Sequence, residues 1–120
     1  MQQPQCDFCG AALVFGSSWR FACDDFSITK PDGGVQEYAE DWSACPPCKD
    51  LIVAGERDEL AQRAARSVIQ SAPVGVPFEF AVQSAREIQD GFWSNRSGSP
   101  RLDTKEEFEA PIRRGGYRSR

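Results

Sequence analysis

Two cysteine pairs constrain this chain more than anything else in it: Cys6-x2-Cys9 and Cys45-x2-Cys48, separated by 35 residues. Pairs at this spacing suit four thiolates closing tetrahedrally on one metal ion. A fold that serves them must bring two distant segments to one point. With four sulfurs filling zinc's four positions, none is left for the water that hydrolytic zinc chemistry needs, so the expected metal is structural. The alternative is two unrelated pairs of buried or reactive thiols.

A chain of 120 residues and 13.3 kDa has room for one small core, to which a metal site adds a staple. The sequence contains no histidine, which removes zinc fingers with paired cysteines and histidines, His-based triads and histidine-dependent nucleases. The start, Met1-Gln2-Gln3-Pro4-Gln5, lacks a basic stretch followed by an apolar run, and no long apolar segment follows. The expectation is a cytoplasmic protein with no membrane association, where paired Cys-x2-Cys units hold metal more often than they form disulfides.

Charge is uneven. Residues 1–60 carry eleven acidic and four basic side chains, whereas the last eight residues carry Arg113, Arg114, Arg118 and Arg120 and no acid. An acidic body disfavours broad phosphate binding, and the basic end remains available to nucleic acid or an acidic protein.

Between the cysteine pairs, Leu13-Val14-Phe15, Trp19-Arg20-Phe21-Ala22 and Val35-Gln36-Glu37-Tyr38-Ala39 read as strands, with turn chemistry at Gly16-Ser17-Ser18 and Pro31-Asp32-Gly33-Gly34. A twisted hairpin or three-stranded meander is expected. Pro46 is tolerated in a first helical turn and Gly55 suits a carboxy-terminal cap, predicting a helix over about 46–54. Its amino terminus favours the thiolate form of Cys45 and Cys48.

A second helix is predicted from near Asp58, with Leu60, Ala64, Val68 and Ile69 on its apolar stripe and Arg57, Gln62, Arg63 and Arg66 outside it. After Pro73 and Pro77, a third runs from about Phe78 to Phe92, with Phe78, Val82, Ala85, Ile88 and Phe92 as its stripe. The fold class expected is α+β: a treble-clef or zinc-ribbon-like four-cysteine module over 1–56, a helical part over 57–96 packed on it as one domain, and a flexible tail over 97–120. Within the tail, Phe108, Ile112, Arg113, Arg114, Tyr117, Arg118 and Arg120 are the candidate partner-binding residues.

Other signals are weaker. Cys23 stands outside both pairs and reads as a core residue or a free thiol. Trp42-Ser43-Ala44-Cys45-Pro46-Pro47-Cys48-Lys49 resembles a thioredoxin-like active site, but a second Cys-x2-Cys and turn-rich hairpins precede it where a parallel βαβ unit belongs. Iron in the same four-sulfur site, as in rubredoxin, is the lesser metal alternative: Cys6-Asp7-Phe8-Cys9-Gly10 resembles a rubredoxin knuckle, whereas Lys49 and a helix follow Cys48. The aromatics Trp19, Phe21, Phe26, Trp42, Phe92 and Trp93 read as core rather than as a base-stacking platform.

Cys6-Asp7-Phe8-Cys9, Asp25-Phe26, Asp41-Trp42-Ser43-Ala44-Cys45-Pro46-Pro47-Cys48, Leu51-Ile52 with Gly55, and Phe92-Trp93 together resemble small zinc-finger-like proteins of actinobacteria and their phages. The resemblance spans about residues 6–96. It implies that Cys6, Cys9, Cys45 and Cys48 are metal ligands and that Cys23 is not, and it implies no activity. The functional expectation is therefore a non-catalytic, zinc-stabilised interaction protein of host or phage regulatory machinery. A protein partner is favoured over nucleic acid, and no small-molecule substrate is evident. The alternatives are a nucleic-acid binder using the Arg-rich tail and a thiol-disulfide oxidoreductase using Cys45 and Cys48.

Overall fold

The computed structural model describes residues 3–39, 41–71, 75–109 and 117–119. Among these residues, two small antiparallel sheets and four helices make an α+β fold. In chain order the elements are β1 (Trp19–Cys23), β2 (Phe26–Thr29), β3 (Val35–Tyr38), β4 (Trp42–Ala44), α1 (Pro46–Val53), α2 (Arg57–Ser71), α3 (Phe78–Asn95), β5 (Arg96–Leu102), α4 (Lys105–Glu109) and β6 (Tyr117–Ser119). The strand orders are β4-β1-β5 and β2-β3-β6. No helix among the described residues is long and apolar enough to cross a membrane.

β3 falls where a strand is expected and the turn at Pro31-Asp32-Gly33-Gly34 is present, but the partner strand across it is β2, which is not among the strands expected from sequence, with Phe26 opposite Tyr38 and Thr29 opposite Val35. This hairpin does not continue into a meander with β1. Instead β1 pairs with β4 on one side, Phe21 facing Trp42, and with β5 on the other. The strand expected at Leu13-Val14-Phe15 is absent. Ala12 makes an isolated bridge to Gln5, and Leu13 is buried while Val14 and Phe15 are exposed. That segment wraps the first cysteine knuckle, so its apolar residues do not alternate between two faces as a strand's would.

The residues that follow Asn95 correct a larger expectation. Residues 97–109, taken from sequence as part of a flexible tail, form most of β5 and all of α4. β5 is an edge strand whose side chains are mostly exposed, so backbone pairing places it without an apolar pattern, and Pro100 is tolerated at such an edge. The register slips between Arg20 and Ala22, the signature of a bulge. Behind β5, Asp103 is buried: Ser18 Oγ donates to its Oδ2 at 2.5 Å and Arg20 Nε donates to its Oδ1 at 2.8 Å.

Trp42 sits at the centre of the core. Its ring stacks with Phe26 and Tyr38 at centroid distances of 6.1 and 5.9 Å and tilts against Phe8 and Phe92, each at 5.2 Å. Because Phe8 lies between Cys6 and Cys9 and is itself buried, the first knuckle is also a wall of the core. α2 and α3 close the other side. α2 turns Leu60, Ala61, Ala64 and Ala65 inward, while Val68 and Ile69, expected in the stripe, are exposed. A face of small residues lets α3 approach closely, and the buried face falls one position away from the larger side chains. α3 runs one turn past Phe92, and its buried residues are Ala81, Gln89 and Phe92; Phe78, placed in its stripe from sequence, is exposed.

Candidate metal centre

The first knuckle begins as a tight turn after Cys6. Gly10 N–H donates to Cys6 O at 2.9 Å, and Phe8 N–H donates to Cys6 Sγ at 3.4 Å. Gly10 closes the turn at φ +78°, a left-handed conformation that favours glycine. The second knuckle is built on the start of α1. Cys45 is its extended N-cap residue and Pro46 its first helical residue, and Lys49 N–H donates to Cys45 O at 2.8 Å. At the far end Gly55, at φ +73°, donates to Ile52 O while Glu56 N–H reaches Leu51 O. These two bonds form the Schellman cap that the sequence anticipates.

What brings the knuckles together is a reciprocal pair between Asp7 and Ser43. Asp7 N–H donates to Ser43 O at 2.9 Å, and Ser43 N–H donates to Asp7 Oδ2 at 2.7 Å. Asp7 lies inside the first knuckle and Ser43 lies two residues before Cys45. The first knuckle thereby covers the outer edge of β4, just where that strand delivers the chain to the second pair.

The result is a tetrad. Cys6, Cys9, Cys45 and Cys48 are all buried, and their Sγ atoms lie within 4.8 Å of one another. Cys9 and Cys45 sulfurs are 3.6 Å apart. Zn–S bonds of about 2.3 Å in a tetrahedron put sulfurs about 3.8 Å apart, so the four donors fit a tetrahedral thiophilic ion with little adjustment. No described cysteine is in a disulfide. Cys23 lies outside the group at the end of β1, where burial, then Asp24, Asp41 and Asp25, push its thiol up to about 11.

Electrostatics within the tetrad are strongly coupled. Hydrogen bonding from Cys48 first, then Cys6 and Cys9, holds the Cys45 thiol far below the ordinary range. Cys48 is pushed up, first by Cys45, then by Cys6 and Cys9. Four sulfurs this close cannot all carry charge without a cation, and each thiolate that forms raises its neighbours.

One cation comes from α2. Arg63, placed outside the apolar stripe from sequence, turns its guanidinium onto the sulfurs: Nε donates to Cys48 Sγ at 3.3 Å, and Nη2 reaches Cys45 Sγ at 3.8 Å. Although burial opposes its charge, these bonds raise its pKa further above the usual arginine value. One turn on, Ser67 Oγ donates to Cys9 O. α2 thus touches both knuckles through side chains four residues apart, neighbours on one helical face. Neither contact is legible in the sequence, where Arg63 resembles its neighbours Arg57 and Arg66.

Of the residues considered for partner binding, Phe108, Tyr117 and Arg118 are described, and they lie in α4 and β6. Phe108, in α4, is half-buried and packs against Phe15 at a ring distance of 5.7 Å, so it belongs to the fold rather than to a free tail. Tyr117 and Arg118 lie in β6, whose backbone pairs with β3. Ile112, Arg113, Arg114 and Arg120 fall outside the described residues. Comparison with protein-family models, curated proteins and solved structures finds no match to this chain.

Proposed function

We propose that this chain is a treble-clef-like zinc module of the cytoplasm whose work is non-catalytic interaction with a protein partner, in a setting such as host or phage regulatory machinery. The observation that carries the reading is the buried tetrad of Cys6, Cys9, Cys45 and Cys48. A four-thiolate set favours zinc or iron over oxygen-seeking ions. Zinc is preferred because the second knuckle opens directly into α1 rather than into a second tight loop. That order of knuckle, strands, and knuckle leading into a helix is also what supports the treble-clef description.

The role follows from what a closed site can do. Zinc bound by four protein sulfurs has no position open for substrate, and holds together the surface around it. Burial weighs against a redox pair: Cys45 is 5% exposed and Cys48 fully enclosed, whereas an attacking sulfur must reach a partner's disulfide. The acidic front half weighs against broad contact with nucleic acid.

Elemental mass spectrometry on protein purified without added metal tests the reading, followed by circular dichroism after chelation. One zinc per chain and loss of structure on chelation are expected. A metal-free, folded protein with disulfide reductase activity that Cys45→Ser abolishes and Cys6→Ser leaves intact would replace it with the redox reading. Iron in place of zinc would reopen electron transfer.

A further inference from the structure

β3 is the middle strand of its sheet only because β6 lies along its outer side; without β6, the order β2-β3-β6 ends at β3. The cover is short. Tyr117, Arg118 and Ser119 stand opposite Tyr38, Glu37 and Gln36, and the register stops before Val35, which is exposed. β2, by contrast, pairs along all of β3, from Val35 to Tyr38. A short strand at a sheet edge is the kind of element that opens locally at small cost.

Charge sorts with this pairing. Residues 24–41, which span β2, β3 and the turn between them, carry six carboxylates and one basic side chain, Lys30. Residues 113–120 carry four arginines and no acid. The register sets Arg118 directly across from Glu37, and opposite charges at facing positions favour an antiparallel pair. An acidic sheet has thus taken its third strand from a basic stretch of its own chain.

We propose that the outer edge of β3 is a docking site for an extended, arginine-rich protein segment, which adds to β3 as an antiparallel strand, and that β6 holds that place in the free chain. The inference rests on the reading of this chain as a protein-interaction module and names the chemistry of the partner. A strand edge offers alternating backbone N–H and C=O groups. Another peptide backbone satisfies both, whereas phosphates, which only accept, do not. The carboxylates of residues 24–41 select a basic segment over an acidic one. A partner strand longer than β6 also reaches Val35, a pairing that β6 leaves unmade. β6 itself is a competitor in cis: joined to α4 through residues 110–116, it meets β3 at an effective concentration on the order of millimolar, so weak segments in trans are kept out.

The test uses the full-length, metal-loaded protein and a fluorescent peptide of residues 113–120, followed by anisotropy and by hydrogen exchange at the β3 amides. Arg118→Glu sets like charges across the strand pair. It should speed exchange at β3 and bind the peptide at least roughly tenfold more tightly than the parent, whose own strand competes. Adding Glu37→Arg to that variant restores opposite charges in cis, and should return slow exchange and abolish peptide binding. A peptide with glutamine in place of each arginine should bind Arg118→Glu at least roughly tenfold more weakly. The proposal is overturned if Arg118→Glu leaves β3 exchange unchanged, if it binds the peptide no more tightly than the parent, or if the glutamine peptide binds as well. A parent that binds a single-stranded oligonucleotide, loses it on Arg118→Glu, and in neither form takes the peptide would assign the arginines to nucleic acid and overturn it as well. Zinc content of the same samples reports the metal reading separately: a zinc-loaded protein that fails these tests keeps its tetrad and loses this docking site.

Discussion

Arg63 Nε donates to Cys48 Sγ at 3.3 Å, so a guanidinium from the second helix lies directly on the sulfur cluster. Four thiolates around a divalent ion carry a net charge of −2, and a cation in hydrogen-bonding contact offsets part of it while fixing where the sulfur lone pairs point. Partners outside the ligand set typically contribute 10- to 100-fold to metal affinity. Arg63→Met keeps much of the packing stem and removes the charge. It should weaken zinc binding by about that factor in competition with a chromophoric chelator, and Arg63→Lys should recover part of the loss. Unchanged affinity in Arg63→Met would leave the guanidinium no role at the metal.

The second prediction concerns the coupling of metal and core. Phe8 sits between two cysteines of the tetrad and touches Trp42 and Phe92 at ring distances of 5.2 and 4.9 Å, so the first knuckle cannot open without disturbing the aromatic centre. Structural zinc sites contribute on the order of 10 kcal/mol, comparable with the whole stability of a small domain. Chelation should therefore abolish cooperative thermal unfolding and shift tryptophan emission to longer wavelength. Cys6→Ser and Cys45→Ser should do so equally. Cys23→Ser should leave metal content unchanged, and the Cys23 thiol, held up at about 11 mainly by burial, should alkylate slowly at neutral pH.

A third prediction runs against helix propensity. Replacing glycine by alanine inside a helix ordinarily stabilises it by about 1 kcal/mol, and Gly91 lies within α3. Here a Cβ on Gly91 would fall 2.1 Å from Phe26 Cε2. Phe26 has little freedom to withdraw, because its ring stacks with both Tyr38 and Trp42. Overpacking typically costs about 1–3 kcal/mol and should win. Urea denaturation should show Gly91→Ala less stable than the parent, and a stabilised variant would mean that the β2–β3 hairpin yields readily to α3.

These relationships also mark where sequence reading succeeds and where it stops. The cysteine spacing, Pro46 with Gly55, and the long apolar periods of α2 and α3 are local signals, and each leads to the right element. Arg63 and Asp7 act through contacts with residues 15 and 36 positions away, and no local pattern separates them from other surface charges. β5 escapes such a reading because an edge strand with exposed side chains carries no alternation. A readable signal does lie just beyond it. Thr104-Lys105-Glu106-Glu107 is a capping box, with Thr104 Oγ1 accepting the Glu107 N–H at 3.1 Å and Glu107 Oε1 accepting the Thr104 N–H at 2.9 Å.

That capping box belongs to the network that ties the chain after α3 back to β1, and it supports a final pair of predictions. Asp103 is nearly enclosed, and Arg20 beside it has a side chain only 11% exposed. Removing the carboxylate by Asp103→Ala leaves Arg20 to Asp41 and Glu107, at 3.7 and 3.4 Å, both more exposed, and should destabilise the fold by about 3 kcal/mol. Glu107 gives the same network a pH dependence. Its carboxyl is lowered to about 2, first by the hydrogen bonds from Arg101 and then by the Thr104 backbone N–H. In the unfolded chain it returns to about 4.3. A carboxylate depressed on folding contributes its stability fully above the unfolded value and loses it as pH falls through the folded one. The stabilisation from Glu107 should therefore fade between about pH 4 and pH 2. Because the pair is partly exposed, the effect should be modest and shrink with salt. Comparing acid unfolding of the parent with Glu107→Gln isolates it: the variant should be less stable at neutral pH, and the gap should close in acid. A gap that persists at about pH 2 would assign Glu107 a packing role instead of an electrostatic one.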